Sequence, residues 1–527
     1  MGILALRGCI NIFRLACVIW QEARMLRSFS AALLGWTFGA SVLSAALIRG
    51  NVVENQSGKA LARAVVTLSP VTGTPGSTKT VRANGYGAFT FESLAAGAYV
   101  LKASKRGFMP MEYGQKRWNS AGLPISLTSD ASPFVTIRLP RYGAISGTIV
   151  DENDVGLSQQ GVLAYRDIRP PEIAGRAIAD DRGVFRIAGL EPGAYLVRSA
   201  AGENDGVEYL PTFSKETLRV EEARMVEVYE DQETQSENLR PIPGQLFTLS
   251  GAAITVPQGI PVTVTLASDT GRQTVQGPTF QFQSLAPGPY ELYAEAPENK
   301  ALNAQYQAAF MPVNVSRNQT QSLMLLPVRE SQINVTPNVA PAASSSAQLL
   351  VRRKDLAGTG PIQAIEITNN RALLAPGRWE LSLVPPSAYY VSGFSGGQGP
   401  ASGKDRPDAW NEIAFNNFTQ VRFSLSAGPG SLHGNVKNNG DLIPGAPVYL
   451  EAYDPATRQR VADLRTTRTD LQGNYRFDGL APGTYRVLAT FEYQAPDTAA
   501  LDLASAPVVK AEARTDLQLD LDLYNTR

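Results

Sequence analysis

From residue 47 onward, apolar and polar residues alternate in short runs separated by clusters of Gly, Pro, Asp and Asn. Val448, Leu450 and Ala452 fall on one face of such a run. Leu517, Leu519, Leu521 and Leu523 alternate strictly with Gln518, Asp520 and Asp522. A two-residue period is that of a strand with one buried face and one wet face. Val65 to Leu68 and Phe134 to Leu139 read the same way. No stretch after residue 46 carries a convincing amphipathic helical period, so the pattern predicts an all-β chain.

The turns between these runs repeat. The string DLQGNYRFDGLAPGTYRV at residues 470–487 has copies at 181–195 and 86–99, a shorter relative at 279–290 and a worn version, LAPGRW, at 374–379. Each copy leads through a turn and a strand to a second turn and an aromatic residue. Asp and Gly suit the first turn, and Pro pre-sets φ in the second. The aromatic anchors are Tyr99, Tyr195, Tyr290, Trp379 and Tyr485, spaced by 96, 95, 89 and 106 residues. That period is too long for a solenoid repeat and suits a whole small domain. Each anchor is expected to be buried with its polar atom bonded to backbone, as in a tyrosine corner. Ahead of the signature, an opening strand carries an interior glycine: Gly50, Gly147, Gly251 and Gly434. Glycine there marks a bulge or a close backbone approach.

Many short strands per period, with turns at regular intervals, read as an antiparallel β-sandwich. The expected organisation is a leader over residues 1–46, then sandwiches at 47–140, 141–243, 244–327, 328–427 and 428–527. The fourth is degenerate and lacks the opening glycine. The link from Leu139 to Gly143 is so short that it should limit swinging between the first two units. Residues 337–346, rich in Pro, Ala and Ser, read as a loop or linker.

Composition changes the picture at the amino terminus. Met25, Leu26 and Arg27 open a positive region, an apolar stretch follows to Leu43, and Ser44, Ala45 and Ala46 offer a cleavage site. This is the grammar of a secretory signal peptide starting at Met25. The rival reading is a pair of membrane segments at 3–20 and 29–47, but Arg7 and Arg14 interrupt the first and the second is short for a span. Cleavage removes both cysteines, Cys9 and Cys17, and leaves 44 basic against 47 acidic residues. The mature chain is then expected to lack disulfides and any integral membrane span, and to be secreted to the periplasm or cell surface. No basic stripe points to nucleic acid.

The opening strand with its glycine, the Asp-x-x-Gly turn and the Leu-x-Pro-Gly-x-Tyr turn together resemble the carboxypeptidase regulatory-like domain. The resemblance is strong in the first, second and last units, fair in the third and weak in the fourth. It implies a transthyretin-like (prealbumin-like) β-sandwich. The same fold is similar to starch-binding-like modules and collagen-adhesin B-type repeats.

The chemistry on offer is sparse. His433 is the sole histidine in the chain, so no metal pair or Ser–His dyad can form around a second one. The zinc ligands of the peptidase that such domains accompany have no counterpart. Glu221 with Glu222, Asp180 with Asp181, and Glu230 with Asp231 lie in turns or solvated runs, not in an acid–base pair. Asp151 to Gly156 packs oxygen groups but lacks the spacing of a calcium loop, and a polar turn is the simpler reading. Glu295 sits where an isopeptide-forming repeat would place its acid, but the opening strand of that unit has no lysine. No enzyme, cofactor or metal site is expected. The candidate ligand contacts are loop aromatics: Tyr113, Trp118, Tyr209, Phe213 and Trp410. Exposed rings on a sandwich suit a sugar or a partner protein. Tyr113 and Tyr209 each follow their anchor by 14 residues, a repetition that shared packing also explains. The expected function is a non-enzymatic array for binding, adhesion or spacing, its partner a polysaccharide or a surface protein; carbohydrate binding through the loop aromatics is the alternative.

Overall fold

The computed structural model describes residues 46–526, apart from 167–171, 338–346, 366, 368–370, 397–405 and 416–419. The expected start at Met25, nearly all of the leader, Cys9, Cys17 and most of the Pro/Ala/Ser-rich segment fall outside the described residues. The regular structure described is strand, apart from one short helix, Thr498–Leu503, and two 3-10 turns, Val220–Glu222 and Lys300–Leu302.

The sandwiches share one plan. In the first, the opening strand Ala46–Glu54 lies between Ala88–Leu94 and Phe134–Leu139. The facing sheet runs Lys79–Arg82, Val65–Pro70 and Gly97–Ser104, with Met111–Glu112 and Ile125–Leu127 against the last of these. Alternate residues of both sheets meet in a core around Ile48, Val52, Phe89, Phe91, Leu101 and Ile137. The plan recurs around the opening strands Gly143–Thr148, Phe247–Ile254, Glu330–Pro337 and Gly430–Asn438. Each of these has its own buried core.

The pairing is not antiparallel throughout. In each sandwich the opening strand pairs in parallel with the segment that closes the same sheet, which in the last is two short strands, Asp516–Gln518 and Leu521–Asp522. In the first, Arg49 to Glu54 runs alongside Phe134 to Leu139. Parallel strands need a long connection, and here nearly the whole sandwich lies between them. This pairing explains three of the four interior glycines. A Cβ on Gly50, Gly251 or Gly434 would sit 2.1, 1.9 or 1.8 Å from the carbonyl oxygen of Val135, Gln321 or Leu519 on the parallel neighbour. At these three positions only a residue without a side chain lets the two strands close; at Gly147 the nearest obstacle is the Ser236 hydroxyl, 2.2 Å away, and the fourth sandwich closes its parallel pair without a glycine.

The recurring turns follow from side-chain capping. Oδ1 of Asp470 accepts from the backbone N–H groups of Gln472 (2.9 Å) and Asn474 (2.8 Å). Asp180 does the same for Arg182 and Val184, and Asn84 for Tyr86 and Ala88. Such Asx turns hold the chain for a left-handed glycine, Gly473, Gly183 or Gly87. A second left-handed residue precedes the signature leucine: Ser93, Gly189, Ser284 and Gly479. There the ladder to the opening strand slips by one residue. At Gly479 (φ 70°) a Cβ would meet nothing within 4 Å. Gly479→Ala should therefore lower stability by only the left-handed penalty, about 1 kcal/mol. Denaturant unfolding of the full chain measures this, and a loss of about 3 kcal/mol, the scale of a packing defect, would refute it.

The anchors close the second turn as expected, but Tyr290 is only half-buried where the other four are buried. The hydroxyls of Tyr99, Tyr195, Tyr290 and Tyr485 donate to the carbonyls of Ala95, Glu191, Ala286 and Ala481 at 2.7–2.9 Å. In the worn copy the Trp379 indole N–H donates to Ala375 O at 2.8 Å. Each polar atom reaches the residue four positions back, so a tryptophan serves the same purpose as a tyrosine.

Consecutive sandwiches are tied by charged side chains. At the first joint Arg141 pairs with Glu54 at 2.7 Å, while Asp231 accepts from the Arg141 N–H at 2.7 Å and from Asn55 at 3.1 Å. At the second, Glu208 accepts from the Leu246 N–H at 2.9 Å. At the third, buried Asp355 takes a bidentate grip from Arg272 (2.7 and 2.8 Å) and a bond from the Tyr293 hydroxyl (2.9 Å). Arg353 lies there between the rings of Tyr293 and Trp379, 4.4 and 4.5 Å from their centroids, and pairs with Glu295.

Candidate functional site at the junctions of the last sandwich

Two loops converge on the last sandwich, and both carry a predicted aromatic. One is residues 111–124 of the first sandwich, with Tyr113 and Trp118. The other is residues 406–410 of the fourth, ending at Trp410.

Arg406 leads the second loop. Its guanidinium grips Asp408 at 2.9 and 2.8 Å and donates to the Tyr485 hydroxyl at 3.0 Å. It also stacks over the Tyr485 ring, 4.7 Å from the centroid. Burial pushes the Tyr485 phenol up to about 12, so the hydroxyl stays protonated and donates to Ala481 O. Trp410 donates its indole N–H to Asp463 of the last sandwich at 3.1 Å, and Arg352 lies over its ring at 4.1 Å. Beside them is a cleft of about 350 Å³ between the two sandwiches. Asp408, Trp410, Asp463, Arg465 and Tyr390 supply its polar rim, and Leu450 and Ala452 line its apolar part. A junction cleft of this size, with a few convergent polar groups on an apolar wall, suits a small polar ligand.

The first loop makes a clasp. The Ala121 N–H donates to Phe491 O at 2.7 Å, and the Gln494 N–H to Asn119 O at 2.6 Å. Glu492, its side chain 1% exposed, pairs with Lys116 at 2.6 Å and Arg117 at 3.0 Å and accepts from Thr526 at 2.8 Å. Glu112 faces Arg468 at 3.7 Å. Ala121 itself packs into the core of the last sandwich. The chain therefore touches itself at each successive joint and again from its last sandwich to its first.

Burial pushes the Glu492 carboxyl up, but bonds from Lys116, Thr526 and Arg117 outweigh it and hold the group below the ordinary glutamate value of 4.5. A depressed folded value stabilises the clasp above the unfolded value, and this is lost as pH falls through the folded one. The clasp should hold at neutral pH and loosen below about 4.5. Scattering profiles taken against pH should show the chain lengthening there, and Glu492→Gln should flatten that response. An unchanged response in the variant would assign the acid opening to other carboxylates.

The remaining candidates lie elsewhere. Tyr209 is buried in the second core and Phe213 in a satellite cluster with Tyr165 and Leu196, so neither presents its ring to a ligand. Arg198 covers Phe213 at 5.0 Å. The repeated spacing of Tyr113 and Tyr209 does not give a repeated role. Tyr113 follows an edge strand on Gly97–Ser104, whereas Tyr209 pairs with Gly202 in a separate hairpin. Tyr113 and Trp118 are half-buried within the clasp loop. His433 faces Asp516 at 3.0 Å, and Ser431 bonds the same carboxylate, so serine and histidine do not form a dyad. Oδ1 of Asp151 is occupied by the N–H groups of Asn153 and Val155, as in a polar turn. Among the described residues no cluster of His, Cys, Asp and Glu is arranged to hold a metal ion, and no helix is long and apolar enough to cross a membrane.

Residues 47–132 and 431–523 match the carboxypeptidase regulatory-like domain. Two stretches of the chain are thus similar to that domain. They are the first and last sandwiches, the pair joined by the clasp. The residues matched do not include the second sandwich, whose signature reads as clearly in the sequence. No curated protein matches the chain. Among solved structures, the minor pilin of Streptococcus agalactiae is 13% identical over 38% of this chain and 98% of its own, with a TM-score of 0.26. The major pilin subunit of Bacillus cereus is 9% identical over 53% of this chain and 99% of its own, with a TM-score of 0.16. The open pilus adhesin of Lactobacillus rhamnosus GG is 12% identical over 73% and 56%, with a TM-score of 0.16.

Proposed function

We propose that this is a secreted, non-enzymatic binding protein of the periplasm or cell surface, built of five sandwich domains over residues 47–140, 141–243, 244–327, 328–427 and 428–527. It works by holding a partner, a surface protein or a polysaccharide, across its domain junctions. The observation that supports this most is where the polar side chains outside the cores are used. Arg141, Asp355 and Arg406 join one sandwich to the next, Glu492 joins the last to the first, and the four do not gather around a reacting centre. The test is expression of the full chain from its own start, followed by fractionation and mass analysis of the amino terminus. Export with cleavage near Ala46 is expected; an unprocessed cytoplasmic protein would overturn the reading.

Carbohydrate binding is the second reading, favoured by the cleft beside Trp410. Asp463, Arg465 and Tyr390 would meet hydroxyls there while the apolar wall meets a ring face. A glycan array probed with residues 47–527 should return hits that Asp463→Ala abolishes. Uniform failure to bind any glycan would remove this reading and leave protein binding.

A further inference from the structure

We infer that the clasp is a pairing surface that also joins one copy of this chain to a second. Its two halves come from opposite ends of the chain. The first sandwich supplies Glu112, Lys116, Arg117, Asn119 O and the Ala121 N–H. The last supplies Arg468, Glu492, Phe491 O, the Gln494 N–H and Thr526. None of these bonds involves the sandwiches in between. Continuity of the chain therefore adds nothing to the contact except proximity.

The chemistry of the two halves suits surfaces that live apart as well as together. Lys116 and Arg117 remain 61% and 54% exposed even when paired, so they lose little hydration on docking and regain it on release. Apart from Ala121, which packs into the core of the last sandwich, the contact is polar and charge-complementary, as interfaces that form and dissociate tend to be. Glu492 itself is as deeply buried as Asp355 at the third joint, and charged donors hold both carboxylates.

Two chains that open their clasps and exchange partners make every one of these contacts twice. That is a closed, reciprocal dimer by exchange of like elements. Cis and trans forms then make the same contacts and differ through effective concentration, which the intervening sandwiches and their joints set. Crowding of copies on a surface, or closure from an opened state at high concentration, moves the balance to the dimer.

Two charge-reversed variants of the mature chain test this. Glu492→Arg opposes Lys116 and Arg117, and Lys116→Glu with Arg117→Glu opposes Glu492. Neither variant can close on itself or on its own copies. Mixed, they offer one native contact and one with the charges exchanged. Light scattering should show monomers for each variant alone and a doubling of mass in the mixture. A mixture that stays monomeric overturns the proposal.

A second measurement keeps the native charges. Asn119→Cys with Gln494→Cys places thiols on either side of the clasp of a mature chain expected to hold no other cysteine. Oxidation of dilute protein should give internally linked monomers. Acid opening and neutral closure of concentrated protein should give covalent dimers on a non-reducing gel. Monomers at every concentration would refute pairing between copies.

Discussion

Tyr485→Ala is expected to destabilise the last sandwich by about 3–5 kcal/mol, the range for truncating a buried aromatic. The ring is 3% exposed and packs among Leu432, Val448, Phe477 and Val487. Its removal leaves a cavity and frees Ala481 O from its bond. It also strips Arg406, itself buried, of the ring beneath it and of one acceptor. The damage should therefore spread to the joint with the fourth sandwich. Tyr485→Phe keeps the ring and loses only the hydroxyl, so a loss of about 1–2 kcal/mol is expected. Denaturant unfolding of both variants, followed by a probe in the last sandwich, separates the two contributions. Equal losses would mean that the hydroxyl, not the ring, holds the site. A negligible loss in the alanine variant would contradict its role as a core plug.

The second large effect is expected at Gly434. A Cβ there would lie 1.8 Å from Leu519 O and 2.5 Å from its carbonyl carbon. The obstacle is backbone, not the flexible end of a side chain, so the closing strand itself must move. Moving it breaks the parallel ladder and the bond from the Leu519 N–H to His433 O (2.9 Å), and it pulls Leu519 O from the Tyr475 hydroxyl. Gly434→Ala should lower stability by at least about 3 kcal/mol, the upper end for an overpacked site. Gly440→Ala, in a turn at φ 94° with nothing within 4 Å, should lose about 1 kcal/mol. If the two variants melted together, close approach of the strands would not be the reason for the interior glycine.

The Tyr485 effect was legible in the sequence because it rests on local chemistry. Asp470 with Gly473, Pro482 with Gly483, and Tyr485 specify turn, turn and plug wherever they occur, and repetition exposes them. Parallel pairing was not legible. Alternation in the closing strand says which face is buried but not which way its neighbour runs. The junctions were hidden for another reason. Arg406, Asp355 and Glu492 each occur once, in segments that do not repeat, and their partners lie far along the chain. A weak signal did exist at Glu492, a carboxylate between Phe491 and Tyr493 at the end of an apolar run. Tyr209 and Phe213 looked like loop aromatics because loop residues are read by their neighbours, whereas their burial is decided by segments that fold over them. Trp118 and Trp410 are both half-buried in loops that reach the last sandwich.

The clasp bears on how such a chain responds to being pulled. Tension applied at its two termini enters through the first sandwich and leaves through the last. Those two are already in contact, so the load passes directly across Glu492, Lys116 and Arg117 and bypasses the three middle sandwiches. While the clasp holds, the array is a short link. When it gives way, the load moves to the joints between consecutive sandwiches, before any strand is unravelled. A stretching experiment would record an early extension at low force, sensitive to salt because charges hold it. The high-force unfolding of individual sandwiches would follow as separate events.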